Sequence, residues 1–443
     1  MANDDGKHMI VGLDIGTSKV VAVVGEIDPD GGIEVVGIGS HPSRGMKKGV
    51  VVNIESTVNA IQRAVEEAEL MAGCQIHSVY VGIAGSHIRS VNSHGIVAIR
   101  DQEVFQQDVD RVIDAAQAVA IPADQKILHV LPQEYVIDNQ SGIREPLGMS
   151  GVRLEAKVHL VTCAVNASQN IEKCVERCGL SVDGIILEQL ASSYSVITED
   201  ERDLGVCLVD IGGGTSDFTL FRAAGAEAKI FASHGVRLGG TDFDQAISVT
   251  HAMPLLGLGG QLRRTFGAGL QPVPKAIYGD LATWAKIPFL YTGETRRAVA
   301  EMERLAVAPD QIGRLAEVLG EELGHQLAFA VEDGKIAANT DQSGVIGMGF
   351  IEPGLEAPID GASMTAALDR FRDELSGAAA ETLQLADIGA EEVATIVLVG
   401  GSSLMNIVRS EMTTLCPNAE LAFSEAFTAV VDGLALASAE AFA

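Results

Sequence analysis

Aromatic rings and positive charge are scarce in this sequence: one Trp, five Tyr, and 31 Lys+Arg against 60 Asp+Glu, for a formal net charge of -29. A field of that sign repels a phosphate backbone, and few flat rings are left for bases to stack on, so nucleic acid is excluded as a partner. Any polyanion this chain binds must be held by backbone N–H groups and a metal ion, not by a basic patch. The six cysteines (Cys74, Cys163, Cys174, Cys178, Cys207, Cys416) include no C-x-x-C pair. That argues against a zinc site or a disulfide framework and for thiols acting as small apolar side chains, with Cys174 and Cys178 on one helical face. No apolar run approaches the ~20 residues that span a bilayer. The polar start from Met1 to Met9 does not read as a signal peptide. The expectation is a cytoplasmic chain with no transmembrane segment and no membrane-targeting helix. A G-x-x-x-x-G-K-[ST] loop and an H-E-x-x-H pair are also missing, which excludes a P-loop and the zinc proteases. Gly37-Ile38-Gly39 runs into Ser-His-Pro and not into a helix, which excludes a Rossmann reading. The ten histidines do not cluster at ligand spacing.

What is present is aliphatic bulk. With 443 residues and 47% hydrophobic content, the chain is long enough for two mixed α/β domains. Apolar and polar residues alternate from Met9 to Ile15, Lys19 to Glu26 and Ile33 to Gly39, which predicts three antiparallel strands, the last two joined by a turn at Asp28-Pro29-Asp30-Gly31-Gly32. Asn53 then caps a helix predicted from Ile54 to Met71, with Val58, Ile61, Ala64, Val65 and Ala68 at helical spacing. The same grammar returns at Gly205 to Ile211, Phe218 to Arg222 and Lys229 to Ser233, followed by a helix predicted to start on a capping-box-like Thr241-Asp242-Phe243-Asp244. This recurrence is an internal duplication of one supersecondary unit. Between the copies, Ser78 to Val161 carries strands and a helix (about Gln107 to Val119) and suits an inserted subdomain. After the second copy, Val249 to Leu290 is rich in Gly and Pro and Thr292 to Ala338 reads as helical. Strand Thr395 to Val399, a Gly400-Gly401 turn and two helices close the chain.

Each copy opens on a strand ending in a carboxylate and a glycine–hydroxyl turn: Asp14-Ile15-Gly16-Thr17-Ser18 and Asp210-Ile211-Gly212-Gly213-Gly214-Thr215. Such a turn presents backbone N–H groups to phosphate oxygens, while the carboxylate orients a hydrated Mg²⁺. Two of them facing one another would clamp a triphosphate. Asp14 and Asp210 are the metal-associated candidates; Gly16, Thr17, Ser18, Lys19, Gly212, Gly213, Gly214 and Thr215 are the phosphate candidates, with Ser216 beside them. The alternatives are Asx-turn aspartates, ordinary turn hydroxyls and a solvated strand lysine. Gly400, Gly401 and Ser402 follow an apolar strand, and a turn without Cβ atoms lets a flat base approach the backbone.

This order of phosphate loop, connecting helix, second phosphate loop and Gly-Gly resembles the actin, sugar kinase and DnaK-type superfamily. The first half, to about Asp217, is similar to the bacterial division protein family FtsA through Gly12-Leu13-Asp14-Ile15-Gly16-Thr17, Pro42-Ser43-Arg44-Gly45-Met46, Pro132-Gln133-Glu134-Tyr135, Leu147-Gly148-Met149-Ser150-Gly151-Val152-Arg153 and Ala191-Ser192-Ser193-Tyr194-Ser195. The second half resembles DnaK-type and YegD-like ATPases through Leu238-Gly239-Gly240-Thr241-Asp242-Phe243-Asp244, Met253-Pro254-Leu255-Leu256-Gly257 and Glu332-Asp333-Gly334-Lys335-Ile336.

The resemblance implies an α/β, actin-like (ribonuclease H-like) duplicated ATPase fold with two lobes around a nucleotide cleft and an inserted FtsA-type 1C subdomain. It divides the chain into 1–77 plus 162–204, the insert 78–161, 205–241 plus 336–443, and a IIB-like subdomain 242–335. It implies ATP and Mg²⁺ as ligands, with Glu332 and Lys335 flanking the adenosine. Glu188 is the candidate to orient water for a hydrolysis that, if present, is slow, the alternative being a surface or helix-capping carboxylate. The resemblance also implies self-association through the insert and contacts with divisome proteins at the division site. FtsZ binding, which the family places in the half replaced here, does not carry over. Two alternatives remain open: a DnaK/YegD-like chaperone-type ATPase, and a small-molecule kinase using Asp210 or Asp217.

Overall fold

A computed structural model describes residues 8–27, 33–197, 205–223, 228–265, 267–423, 430, 433–434 and 436. The predicted turn at 28–32 and most of the last predicted helix lie outside these. The chain divides into two compact units, 1–238 with 374–404 and 408–443, and 239–373 with 405–407.

In the larger unit, β1 (His8–Ile15), β2 (Lys19–Ile27) and β3 (Ile33–Pro42) are antiparallel, as the alternation predicts. A two-residue hairpin, β4 (Met46–Lys47) and β5 (Val50–Val51), leads to α1 (Ile54–Ala72). Asn53 Oδ1 accepts the Ser56 N–H at 3.0 Å, and Gly73 ends the helix in the left-handed region at φ 64. The helix buries Val58, Ile61, Ala64, Val65 and Ala68 against the sheet, each larger side chain contributing about 1.5–3 kcal/mol of apolar burial. Gly37 and Gly39 allow this approach, since a Cβ at Gly39 would fall 1.9 Å from the Ala64 carbonyl oxygen. The Gly-Ile-Gly segment is therefore a packing device.

β6 (Ser78–Ile83) pairs in parallel with β1, so it belongs to this first sheet and not to the insert that the sequence placed from Ser78. The insert proper holds β7 (Arg89–Ala98), α2 (Gln106–Gln117), β8 (Gln125–Ile137), β9 (Gln140–Ile143) and β10 (Arg153–Ala164). Its antiparallel sheet has the order β7-β10-β8-β9, and α2 packs on it so closely that a Cβ at Gly95 would meet the Val112 carbonyl oxygen at 2.0 Å. The chain then returns through α3 (Val165–Arg177), β11 (Ser181–Leu187) and α4 (Glu188–Val196). Cys178 Sγ, at the end of α3, points to the Cys174 carbonyl oxygen at 3.2 Å.

The second copy consists of β12 (Val206–Ile211), β13 (Ser216–Ala223) and β14 (Ala228–Val236). It is extended by Thr395–Val399 in parallel with β12 and by Glu420–Phe423, a strand the sequence reading missed. The two five-stranded sheets match strand for strand: β3-β2-β1-β6-β11 in the first, and β14-β13-β12, Thr395–Val399, Glu420–Phe423 in the second. In both, three antiparallel strands are followed by two parallel ones, so the duplication extends to topology. All six residues of β12 and all five of Thr395–Val399 are buried, the pattern of strands covered on both faces.

The smaller unit contains helices Gly240–Ile247, Gly293–Leu305, Pro309–Gly320, Gly324–Asp341 and Gly361–Leu368, and the hairpin Ser343–Gly347 with Glu356–Asp360. Its first helix starts before the predicted Thr241. Asp242 Oδ2 accepts the Gly239 N–H at 3.1 Å, so Gly239 and not Thr241 is the cap. Among the described residues no helix is long and apolar enough to cross a membrane.

Candidate functional site

The first turn places Asp14 at the end of β1, and the second places Asp210 in β12 beside Asp217 in β13, with which it pairs. Glu188 is the first residue of α4 and projects into the same region, where Gly82 leaves it room: a Cβ there would fall 2.9 Å from Glu188 Cγ. Four carboxyl groups thus come within electrostatic reach of one another. Burial raises Asp14 to about 6, with the Lys19 charge opposing. Burial and then the Asp14 charge raise Asp210 to about 7. Burial and then Asp210 raise Asp217 to about 8, with hydrogen bonds from the Thr215 hydroxyl and the Gly85 N–H opposing. Glu188 is driven well above the carboxylate range, by burial first and then by Asp14, Asp210 and Asp217. Carboxyls perturbed in this way want a cation. Asp14 Oδ1 is a buried oxygen with no hydrogen-bond donor among the described residues.

The turns themselves touch. A Cβ at Gly213 would fall 2.0 Å from Ser18 Oγ, and one at Gly214 would fall 2.6 Å from Thr17 Oγ1. A Cβ at Gly16 would fall 2.8 Å from the Lys19 carbonyl oxygen, and the Gly212 N–H bonds to the Thr215 carbonyl at 3.1 Å. Thr17 Oγ1 accepts the Gly49 N–H at 3.2 Å. Lys19 faces Asp14, and burial lowers its pKa while that carboxylate opposes the shift. Ser216 is committed elsewhere, donating to the Leu238 carbonyl at 2.7 Å. Gly400, with φ 82, lies on Asp210: a Cβ there would sit 2.7 Å from Asp210 Oδ1. Gly401 and Ser402 begin the short 3-10 turn Gly401–Leu404 that follows.

Lys48 and Gly49 are site residues the sequence reading missed. They form the turn between β4 and β5 with φ 50 and φ 74, and a Cβ at Gly214 would lie 2.9 Å from Lys48 Cα. A non-glycine residue at positive φ beside two glycine turns is the kind of strain that marks a functional segment, but single-sequence periodicity carries no signal for it. Glu332 and Lys335 lie on helix Gly324–Asp341 of the smaller unit. Lys335 is buried there and pairs with Asp244 at 2.7 Å. Among the described residues no set of three or more His, Cys, Asp or Glu side chains is arranged to enclose a metal ion.

Two topologically matched sheets, each presenting an aspartate and a glycine turn to the other, define an actin-like duplicated α/β fold with an inserted subdomain. A chain of a PilM-PilN type IV pilus biogenesis complex shares that fold, with a TM-score of 0.55 over 97% of this chain and 98% of its own at 15% identity. The "SHS2 domain inserted in FTSA" family matches residues 85–162. Cell division protein FtsA of Pseudomonas aeruginosa is 77% identical over 221 residues, which are 50% of this chain and 53% of that protein. The FtsA of Escherichia coli K12 is 55% identical over 215 residues, 48% of this chain and 51% of its own length, and that of Neisseria meningitidis is 57% identical over 209 residues, 47% and 50%. The chain is thus FtsA-like over about half its length, and it spans about half the length of the curated relatives it matches. These likenesses support the division-protein resemblance and lend none to the chaperone-type or kinase alternatives.

Proposed function

We propose that this chain is an ATP-binding, FtsA-like actin-fold protein whose nucleotide state governs its self-association in bacterial cell division. The observation that carries the proposal is the convergence of Asp14, Glu188, Asp210 and Asp217 on two touching glycine turns. The residues fit a magnesium–nucleotide: Asp14 and Asp210 supply negative charge, one buried Asp14 oxygen lacks a donor among the described residues, and the two glycine turns bring backbone N–H groups to the same place. Mg²⁺ keeps much of its water shell, so two carboxylates and phosphate oxygens serve it without an all-protein cage. When bound, it neutralises phosphate charge.

The chain's own groups do the rest. Glu188, pushed above the carboxylate range by burial and by the neighbouring aspartates, is placed to hold a water by hydrogen bond, which suits at most slow hydrolysis. Gly400 and Gly401, like Glu332 and Lys335, are assigned to the adenosine by resemblance alone. The insert is the assembly surface and the contact for other division proteins, and the site of action is the division site. Sedimentation of the purified chain with ATP and Mg²⁺, with ADP and Mg²⁺, and without nucleotide tests the reading. Pelleting that requires ATP supports it; pelleting indifferent to nucleotide, or none at all, contradicts it.

A further inference from the structure

His87 stands at the root of the insert, one turn after β6. It is 9% exposed, and neither ring nitrogen has a hydrogen-bond partner among the described residues. Buried polar groups are almost always satisfied, so an imidazole orphaned at both nitrogens points to a ligand or an ordered water. Burial, and after it the Arg237 charge, lowers its pKa to about 4. The ring is therefore neutral at pH 7, with one nitrogen donating and the other accepting.

Its surroundings belong to the phosphate turns. His87 shares the Gly85–Ile88 turn, closed by the Ile88 N–H on the Gly85 carbonyl at 2.9 Å. Gly85 has φ 120, and the space its missing side chain leaves is bordered by His87 Nδ1 at 3.4 Å, Thr215 Cγ2 at 3.4 Å and Gly49 Cα at 3.6 Å. Thr215 is in the second phosphate turn, and Gly49 is bonded to Thr17 of the first. The Gly85 N–H bonds to Asp217. On the other flank, Arg237 Nε donates to Ser86 Oγ at 2.6 Å, and Lys48 Nζ donates to the Arg237 carbonyl at 2.6 Å. Every residue of this short turn before Ile88 is thus tied to, or packed beside, a segment that meets one of the two glycine turns. Beyond it the chain enters β7 and the insert.

We propose that His87 is a nucleotide-state sensor: its ring engages the terminal phosphate of a bound triphosphate, directly or through a hydrating water, and the Gly85–Ile88 turn passes the difference to the insert. The assignment rests on the nucleotide reading above and deepens it. The terminal phosphate is the favoured group because His87 Nδ1, Thr215 and Gly49 border the same space beside Gly85, whereas Gly400, of the glycine pair expected under the base, packs on Asp210. His87 acts here as a positioning residue for the insert's first turn.

Affinities for ATP and for ADP, each with Mg²⁺, are measured on the full chain, on His87→Ala and on His87→Gln. Amide hydrogen exchange over Arg89–Ala98 is followed in both nucleotide states. The proposal expects His87→Ala to lose about tenfold in ATP affinity, as for one hydrogen bond to a charged group, with ADP affinity unchanged. Unchanged ADP affinity also reports that the variant is folded. His87→Gln, which keeps a donor and an acceptor, recovers most of the ATP preference. The ATP–ADP difference in exchange over Arg89–Ala98 disappears in His87→Ala. Equal losses for both nucleotides, or an unaltered ATP–ADP ratio and exchange difference, overturn the role of His87 while leaving nucleotide binding intact. A wild-type chain that binds neither nucleotide overturns the nucleotide reading, and this one with it.

Discussion

Ser18 and Gly213 are in direct contact across the two turns: a Cβ at Gly213 would fall 2.0 Å from Ser18 Oγ and 3.1 Å from Ser18 Cβ. Residues nearly two hundred positions apart in the duplicated halves therefore share one surface, and a side chain at Gly213 or Gly214 has to displace the first turn.

Gly214→Ala is expected to be the more costly of the two adjacent changes. Its new Cβ meets the Lys48 backbone at 2.9 and 3.0 Å as well as Thr17 Oγ1 at 2.6 Å, and backbone cannot rotate away; about 1–3 kcal/mol of stability is at stake. Gly213→Ala meets mainly a rotatable hydroxymethyl group, so adding Ser18→Gly restores part of what it loses. Urea unfolding of the two single variants and the double one checks the order.

The carboxyl cluster sets a pH dependence with a definite sign. Folding raises Asp210 to about 7 and Asp217 to about 8 from an ordinary value of 3.8. The folded state therefore binds more protons, and the stability this gives is lost as pH rises through those values. His87, His129 and His159, each lowered to about 4, act in the opposite direction but only at lower pH, where unfolded histidines take up protons. Between about pH 7 and about pH 8.5 the carboxyls dominate, each titrating group costing up to ~1.4 kcal/mol per pH unit. The Tm of the nucleotide-free protein falls across that window, and Asp217→Asn flattens the fall. A Tm rising with pH there contradicts the cluster.

Gly73→Ala and Gly39→Ala separate backbone strain from packing. Gly73 has φ 64 and nothing within 4 Å of its Cβ position, so the change costs about 1 kcal/mol from the left-handed conformation alone. Gly39→Ala drives a methyl into the Ala64 carbonyl oxygen at 1.9 Å and separates α1 from the sheet. Chemical denaturation ranks Gly39→Ala well below Gly73→Ala.

In the smaller unit, Lys335→Ala leaves the half-buried Asp244 carboxylate without its cation, a loss of about 1–3 kcal/mol. The double change Lys335→Met with Asp244→Asn recovers much of it. Equal stability of single and double variants in thermal unfolding contradicts a coupled pair.

Much of this architecture is legible in the sequence because it rests on short-range grammar. Alternation gives β1, β2 and β3, and the recurrence of strand, glycine turn and strand gives the second copy. The ends of elements are less legible. Gly239 and not Thr241 caps its helix, because a backbone N–H reaching Asp242 leaves no trace in the residue expected at the cap. Ser78–Ile83 reads as an insert strand until its parallel pairing with β1 is seen, a contact between distant segments that no local pattern encodes. At the site, the aspartates and glycines declare themselves by motif. Lys48, Gly49 and His87 do not, since their significance comes from the turns that fold onto them.

The central claim is that Asp14 and Asp210 serve one magnesium–nucleotide site. Titration with a fluorescent ATP analogue, with and without Mg²⁺, on the wild-type chain, Asp14→Ala and Asp210→Ala tests it most directly. The account predicts Mg²⁺-dependent binding that is weakened by either change. Tight binding unaffected by both substitutions, or no binding by the wild-type chain, would contradict it.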